Sequence, residues 1–119
     1  MQDRLTPNCF IAPSTTREVS KIVGLLTEDS CQFAIRSGGH GLLVGSSNIA
    51  TGVTIDMSGM KSVTLSEDKT TASVQPGAKW IQVYEALDPL GYSIPGGRAG
   101  DVGVGGLTSG GEFATIVSN

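Results

Sequence analysis

The chain has few aromatic residues, no excess of positive charge and no long apolar run. Only 5% of its 119 residues are aromatic, and its formal net charge is −3. Nucleic-acid and anionic-membrane surfaces need a basic footprint, so we expect neither kind of partner. No apolar run approaches the ~20 residues of a membrane span. The first residues, 1–4, lack the charged-then-apolar order of a signal peptide, so we expect no export signal in this chain, and its localisation stays open.

Cysteine is also scarce, with only Cys9 and Cys31. Their spacing contains no C-x-x-C, which excludes the common zinc and redox motifs, and we expect no metal site. Each cysteine lies beside an apolar run, which favours buried free thiols, although a disulfide between them stays open at this point. The length of 119 residues predicts one domain at most.

Glycine is abundant, with 17 copies, and it concentrates in two stretches. The first follows a short apolar run that predicts a buried strand, and it consists of Arg36, Ser37, Gly38, Gly39, His40 and Gly41. Glycine lacks a Cβ, so successive bare amides can form a concave nest for an anion. Arg36 adds a donor fork suited to phosphate oxygens, and His40 is the only histidine. The stretch predicts a pyrophosphate site, with an ordinary surface turn as the alternative.

The residues before this loop predict a strand–helix–strand unit. Residues 9–12 form a short apolar run closed by a proline. Thr15 and Glu18 have the spacing of a helix capping box, and they precede apolar residues at helical spacing, Val19, Ile22, Val23 and Leu26. The second strand, 33–35, then delivers the chain into the glycine loop. In such a unit the loop at the strand end faces a ligand.

The middle of the chain predicts a third strand, a hairpin and a second helix. Residues 53–56 form the third strand, and 57–60 form a turn. Residues 62–65 pair with 71–74 across a polar turn. A helix follows from about 79 to 87, with its apolar face formed by Trp80, Val83, Tyr84 and Leu87. Gly91 is available as its C-cap.

The second glycine stretch spans 96–111 and holds eight glycines in sixteen residues. It fits neither the G-x-G-x-x-G pattern nor the P-loop pattern. Apolar residues lie between the glycines, which favours a place where backbone passes close to a flat or anionic partner over the alternative, a flexible linker. The candidate binding residues here are Gly103, Val104, Gly105, Gly106 and Thr108.

Five blocks of the chain together carry a resemblance to a known family. The blocks are 7–13, 36–40, 52–57, 74–78 and 102–106. In this order they resemble the FAD-binding domain of the vanillyl-alcohol-oxidase type, also called PCMH-type. Within that group the chain looks like the berberine-bridge-enzyme-like FAD-linked oxidoreductases. The resemblance covers about residues 7–111.

The resemblance implies an α+β fold, the N-terminal part of a PCMH-type FAD-binding domain. It implies that residues 1–119 are a partial domain, a fragment whose substrate domain is absent, from a family that is often secreted. It also implies FAD as cofactor. The family's histidine in the S-G-G-H loop bonds covalently to a ring methyl of the flavin, and His40 occupies that position. The family's second linkage, through cysteine, is not expected because Ala99 occupies its position. Glu112 departs from the family's run of glycines.

The implied activity is oxidation of a small organic substrate by hydride transfer to covalently bound FAD, with dioxygen as the reoxidant. The resemblance identifies neither the substrate nor the catalytic base. The alternative is a truncated, non-catalytic remnant of such an enzyme, with weak or no flavin binding.

Overall fold

The computed structural model describes residues 5–111. Its first part is a parallel sheet whose three strands are β1 (Cys9–Ile11), β2 (Phe33–Arg36) and β3 (Val53–Asp56). The strand order is β1-β3-β2, so β3 lies between the two strands of the predicted strand–helix–strand unit and pairs with both. All three carboxyl ends lie at one edge of the sheet, and the first glycine stretch leaves from that edge.

Helix α1 (Thr16–Glu28) joins β1 to β2 and begins at the predicted cap. The Thr15 hydroxyl accepts a hydrogen bond from the Glu18 N–H at 3.2 Å. The Glu18 carboxylate accepts from the Ser14 N–H at 2.7 Å, and the hydrogen bonds from Ser14 lower the pKa of Glu18. The apolar face of α1 packs against a small core formed by Ile55, Met57 and Met60.

The second part consists of a hairpin and two helices. Strands β4 (Val63–Leu65) and β5 (Ala72–Val74) pair antiparallel, with Val63 opposite Val74. Helix α2 (Trp80–Leu87) buries the predicted face, although Tyr84 is only partly buried, and a 3-10 turn ends with Gly91 in the left-handed conformation. Helix α3 is Val104–Gly110. The core of this part contains Ala78, Trp80, Val83, Leu87 and Val104.

The structure confirms the α+β fold class and differs from the sequence analysis in two details. The second glycine stretch ends in a helix, α3, because the buried Val104 and half-buried Leu107 pack against the core of α2. Cys9 and Cys31 are exposed free thiols, so the prediction of buried thiols was wrong. Cys9 opens a three-residue strand at the edge of the sheet, and Cys31 lies in the connection between α1 and β2. Glu112 lies outside the described residues.

Candidate functional site

The two glycine stretches meet at Gly38 and Gly103. A Cβ on Gly38 would collide with the backbone nitrogen of Gly103, and a Cβ on Gly103 would collide with the backbone of Gly38. The contact is reinforced by the Ser37 hydroxyl, which donates a hydrogen bond to the Pro76 carbonyl at 2.5 Å. Only glycine allows two backbones to approach this closely, so the two stretches form one continuous surface.

The first glycine stretch turns sharply after β2. Gly39 has φ of +73°, a conformation that side chains other than glycine rarely adopt. The Arg36 side chain lies beside this turn, since a Cβ on Gly39 would be 3.1 Å from Arg36 Nε. Within residues 5–111, no carboxylate forms an ion pair with Arg36. The guanidinium is therefore available to an anion that approaches the turn.

The second glycine stretch is fixed to the start of α2 by backbone hydrogen bonds. The first N–H groups of a helix have no partner within the helix. Here the Trp80 N–H donates to the Val102 carbonyl at 3.1 Å, and the Ile81 N–H donates to the Gly100 carbonyl at 2.8 Å. On the other side, the Val104 N–H donates to the Ala78 carbonyl at 2.9 Å. Backbone hydrogen bonds therefore fix residues 100–104 to residues 78–81.

His40 and Asp101 connect the two stretches through their side chains. Nε2 of His40 lies 3.0 Å from Oδ2 of Asp101. The side chains are 44% and 67% exposed, respectively, so the pair lies at the surface. His40 and Asp101 are 61 positions apart in sequence. The packing of Gly38 on Gly103 brings the two stretches, and with them these side chains, together.

A cleft of about 340 Å³ opens where the stretches meet. Its volume lies within the range of small-molecule sites. Ser47 lines the cleft and is only 8% exposed. Its hydroxyl has no hydrogen-bond partner among the residues that the structure describes. A buried hydroxyl normally has a partner, so this one is available to a ligand in the cleft.

Seven of the predicted binding residues line this cleft, and four do not. Those in the cleft are Ser37, Gly38, Gly39, His40, Gly41, Gly103 and Gly106. Arg36 lies behind the turn at Gly39. Val104 is buried in the core, Gly105 packs against Pro76, and Thr108 is exposed on α3. The structure therefore brings the first stretch together with Gly103 and Gly106.

Sequence reasoning missed Asp101, Ser47 and the apolar walls of the cleft. Ile35 and Leu42 line the cleft, and both are more than half exposed. Ser47 lies between the first glycine stretch and β3, in residues where no sequence motif indicates a ligand. Asp101 is one acidic residue among 11, and its distance from His40 in sequence gives no local signal. Its place inside the second glycine stretch was the one available clue.

Comparison with known proteins identifies the family of this arrangement. Residues 7–118 match the FAD binding domain family called FAD_binding_4. The chain belongs to this FAD-binding family. The match covers both glycine stretches, so the cleft is part of a domain type whose ligand is FAD.

Relatives of this FAD-binding chain are flavin-dependent oxidoreductases. It is 48% identical to the FAD-dependent monooxygenase sdcF of Emericella nidulans, over 92% of this chain and 23% of that protein. Aclacinomycin oxidoreductase superposes with a TM-score of 0.78 at 31% identity, over 94% of this chain and 23% of the other. Chitooligosaccharide oxidase superposes with a TM-score of 0.74 at 30% identity, over 87% and 23%. The chain spans about a quarter of the length of these relatives.

The residues of the cleft fit a dinucleotide cofactor. The bare backbone at Gly38 and Gly103 leaves room for close approach, and the Ser47 hydroxyl is a donor without a partner in the described part of the chain. Within residues 5–111 there is no cluster of three or more metal-ligating side chains. In the same part of the chain, no helix combines the length and apolar composition that a membrane span requires.

Proposed function

We propose that the chain is the flavin-binding portion of an FAD-dependent oxidoreductase, with residues 1–119 forming part of a PCMH-type FAD-binding domain. The meeting of the two glycine stretches at Gly38 and Gly103 carries this proposal. It creates a surface of bare backbone beside the only histidine of the chain. A flavin dinucleotide needs both features, a close backbone approach for its pyrophosphate and a specific contact for its ring.

The pyrophosphate is assigned to the turn at residues 37–41. Backbone amides of such a turn attract anions, and Gly39 makes the turn possible through its positive φ. Ser47 lines the same cleft, and its hydroxyl has no partner within residues 5–111. Arg36 supplies the positive charge behind the turn. Among the predicted binding residues, Gly103 and Gly106 form the opposite wall.

The flavin ring is assigned to the side of the cleft where His40 lies. His40 would hold the flavin through a covalent bond to a ring methyl, as the family resemblance implies. Ala99 stands at the position of the family's second linkage, so His40 is the single attachment point. The exposed apolar side chains of Ile35 and Leu42 provide a surface for a flat ring. The covalent bond keeps the cofactor in place, and the protein supplies position and electrostatics for chemistry that the flavin performs.

The activity of the whole protein is oxidation of a small organic molecule with dioxygen as the final electron acceptor. The bound flavin supplies the two-electron chemistry, accepting a hydride from the substrate. The relative sdcF is named a monooxygenase, whereas chitooligosaccharide oxidase is named an oxidase. The 48% identity to sdcF favours insertion of oxygen as a second candidate for the outcome of the reaction.

The experiment is acid precipitation of the protein in its full natural length, expressed in cells that supply FAD. We expect flavin fluorescence to remain with the precipitated wild-type protein. It should be released from His40→Ala. Cys9→Ala and Cys31→Ala serve as controls, because both thiols are exposed and both variants should retain the flavin. Covalent flavin in His40→Ala would refute attachment through this residue, and a wild type without any flavin would refute the proposal as a whole.

A further inference from the structure

Asp101 has no role in the flavin site as proposed above, yet its carboxylate contacts the residue assigned to the flavin. Oδ2 of Asp101 lies 3.0 Å from Nε2 of His40. Among residues 5–111 no other carboxylate lies within 4.0 Å of a basic side chain. The contact joins the reactive side chain of one glycine stretch to the other stretch, so it warrants a chemical explanation.

The position of Asp101 is fixed by the backbone on both sides. The carbonyl of Gly100 accepts from the Ile81 N–H at 2.8 Å, and the carbonyl of Val102 accepts from the Trp80 N–H at 3.1 Å. The Val102 N–H also donates to the Ala99 carbonyl at 3.2 Å, which closes a tight turn around Asp101. Trp80 itself is buried in the core of the second part. The carboxylate is therefore presented from a rigid turn, even though its side chain is exposed.

We infer that Asp101 is a positioning residue for the covalent attachment of FAD to His40, an inference that rests on the proposed function. A neutral imidazole carries its proton on one ring nitrogen and a lone pair on the other. A carboxylate beside one nitrogen fixes the proton there and orients the ring. With Nε2–H donating to Oδ2 of Asp101, Nδ1 of His40 carries the lone pair that forms the new bond.

The covalent attachment is a two-electron oxidation, and dioxygen is the oxidant. A C–N bond between the ring methyl and Nδ1 replaces one C–H bond of the methyl and, in the final product, the N–H bond of the imidazole. The two hydrogens and their two electrons pass overall to dioxygen, which becomes hydrogen peroxide. While the new C–N bond forms and Nε2 still holds its proton, the imidazole ring carries positive charge. The carboxylate of Asp101 lies where it stabilises that charge, as the aspartate of a Ser-His-Asp triad does for its imidazolium.

An ordinary surface ion pair would have no such consequence. Exposed ion pairs contribute little to folding, and losing one would not alter the rate of flavin attachment. Both explanations fit the distance alone. They differ in what happens when the charge of Asp101 is removed and the shape of the side chain is kept, since Asp101→Asn retains a hydrogen-bond acceptor but not the charge.

The test measures the rate at which apoprotein of full natural length becomes covalently labelled when FAD is added. Asp101→Asn and Asp101→Ala should both slow the labelling by about tenfold or more. At a site closed to water, removing one group that stabilises developing charge slows a reaction by about 100- to 1,000-fold, and we expect less here because the pair is exposed. Asp101→Glu should recover part of the rate. Glu67→Gln, which removes one exposed carboxylate in the turn of the hairpin, is the matched control and should label at the wild-type rate.

Reversible FAD affinity is measured in parallel, before attachment proceeds. It should stay within about twofold of wild type in the Asp101 variants, because the carboxylate acts on His40 and not on the pyrophosphate. Wild-type labelling rates in Asp101→Asn or Asp101→Ala would overturn the inference, and so would a loss of affinity that accounts for the whole slowing. Either result would leave the proposed flavin site intact. A wild type that binds FAD without ever becoming labelled would instead refute attachment through His40, and the role of Asp101 with it.

Discussion

The two parts of the molecule contribute to the cleft in different ways. In the sheet part, α1 has no fully buried residue, and the core consists of Ile55, Met57 and Met60. In the hairpin part, α2 buries three side chains and binds the second glycine stretch through its first N–H groups. The sheet part supplies the turn, with His40 and the proposed phosphate contacts. The hairpin part supplies a rigid wall against which that turn is placed, so scaffold and chemistry come from different parts of the chain.

The largest effect is expected where the two parts touch. Gly38→Val would force the loop away from the backbone of Gly103 and open the cleft. Flavin binding should be lost, which is measured as the flavin absorbance that remains with the purified protein. Gly24→Ala is the control, because nothing lies within 4 Å of a Cβ at this position in α1 and alanine favours a helix by up to about 1 kcal/mol over glycine. Full flavin content in Gly38→Val would contradict the proposed geometry.

The next effect compares a buried leucine of α2 with an exposed leucine of α1. Leu87→Ala in α2 removes a side chain that is 2% exposed, and it should lower the free energy of unfolding by about 2–5 kcal/mol. The matched change in α1 is Leu25→Ala, where the side chain is 61% exposed, and it should change stability by less than about 0.5 kcal/mol. Urea unfolding of both variants gives the two values. Equal losses would contradict the burial of Leu87 in the core of the hairpin part.

A smaller effect is expected at Arg36. Its guanidinium lies behind the turn at Gly39 and does not line the cleft, so we expect it to act on the phosphates through its charge. Arg36→Ala should weaken ADP binding by about tenfold, the low end of the effect of a hydrogen bond to a charged group. Titration calorimetry measures this change, with Arg17→Ala on the exposed surface of α1 as the control. Unchanged ADP affinity in Arg36→Ala would show that the guanidinium packs against the turn at Gly39 without contributing to phosphate binding.

The smallest effect concerns the cap of α1. Hydrogen bonds from Ser14 lower the pKa of Glu18 below its ordinary value of 4.5. A carboxyl whose pKa is lowered on folding stabilises the fold above its unfolded pKa, and that contribution is lost as the pH falls through the folded pKa. Glu18→Gln should therefore reduce the dependence of stability on pH below 4.5. Thermal unfolding of both proteins across that range is the measurement, and identical pH profiles would exclude a role for this carboxylate.

Local patterns predicted most of the fold, while the site depended on contacts between distant residues. The capping pair Thr15 and Glu18, the hairpin and the buried face of α2 each follow from residues a few positions apart, and the structure confirms them. The membership of the FAD-binding family was likewise visible in short blocks of sequence. The contact of His40 with Asp101 was not, because no local pattern predicts which residues meet when Gly38 packs on Gly103. Helix α3 was missed because glycine disfavours helices, and the packing of Val104 and Leu107 outweighs that preference.

The order of strands in the sheet also bears on how the chain folds. β1 and β2 do not pair with each other; both pair with β3, the last of the three in sequence. Each pairing in this sheet therefore closes a long loop, and the entropy lost in closing it is offset only after the strands have met. Such long-range parallel pairing is slow. Until β3 is synthesised, residues 5–52 can form α1 but none of the pairings of this sheet, and the turn that contains His40 lacks the strand that fixes it. The proposed covalent attachment of the cofactor would therefore follow sheet formation in time, and we expect a substitution that weakens β3 to delay both.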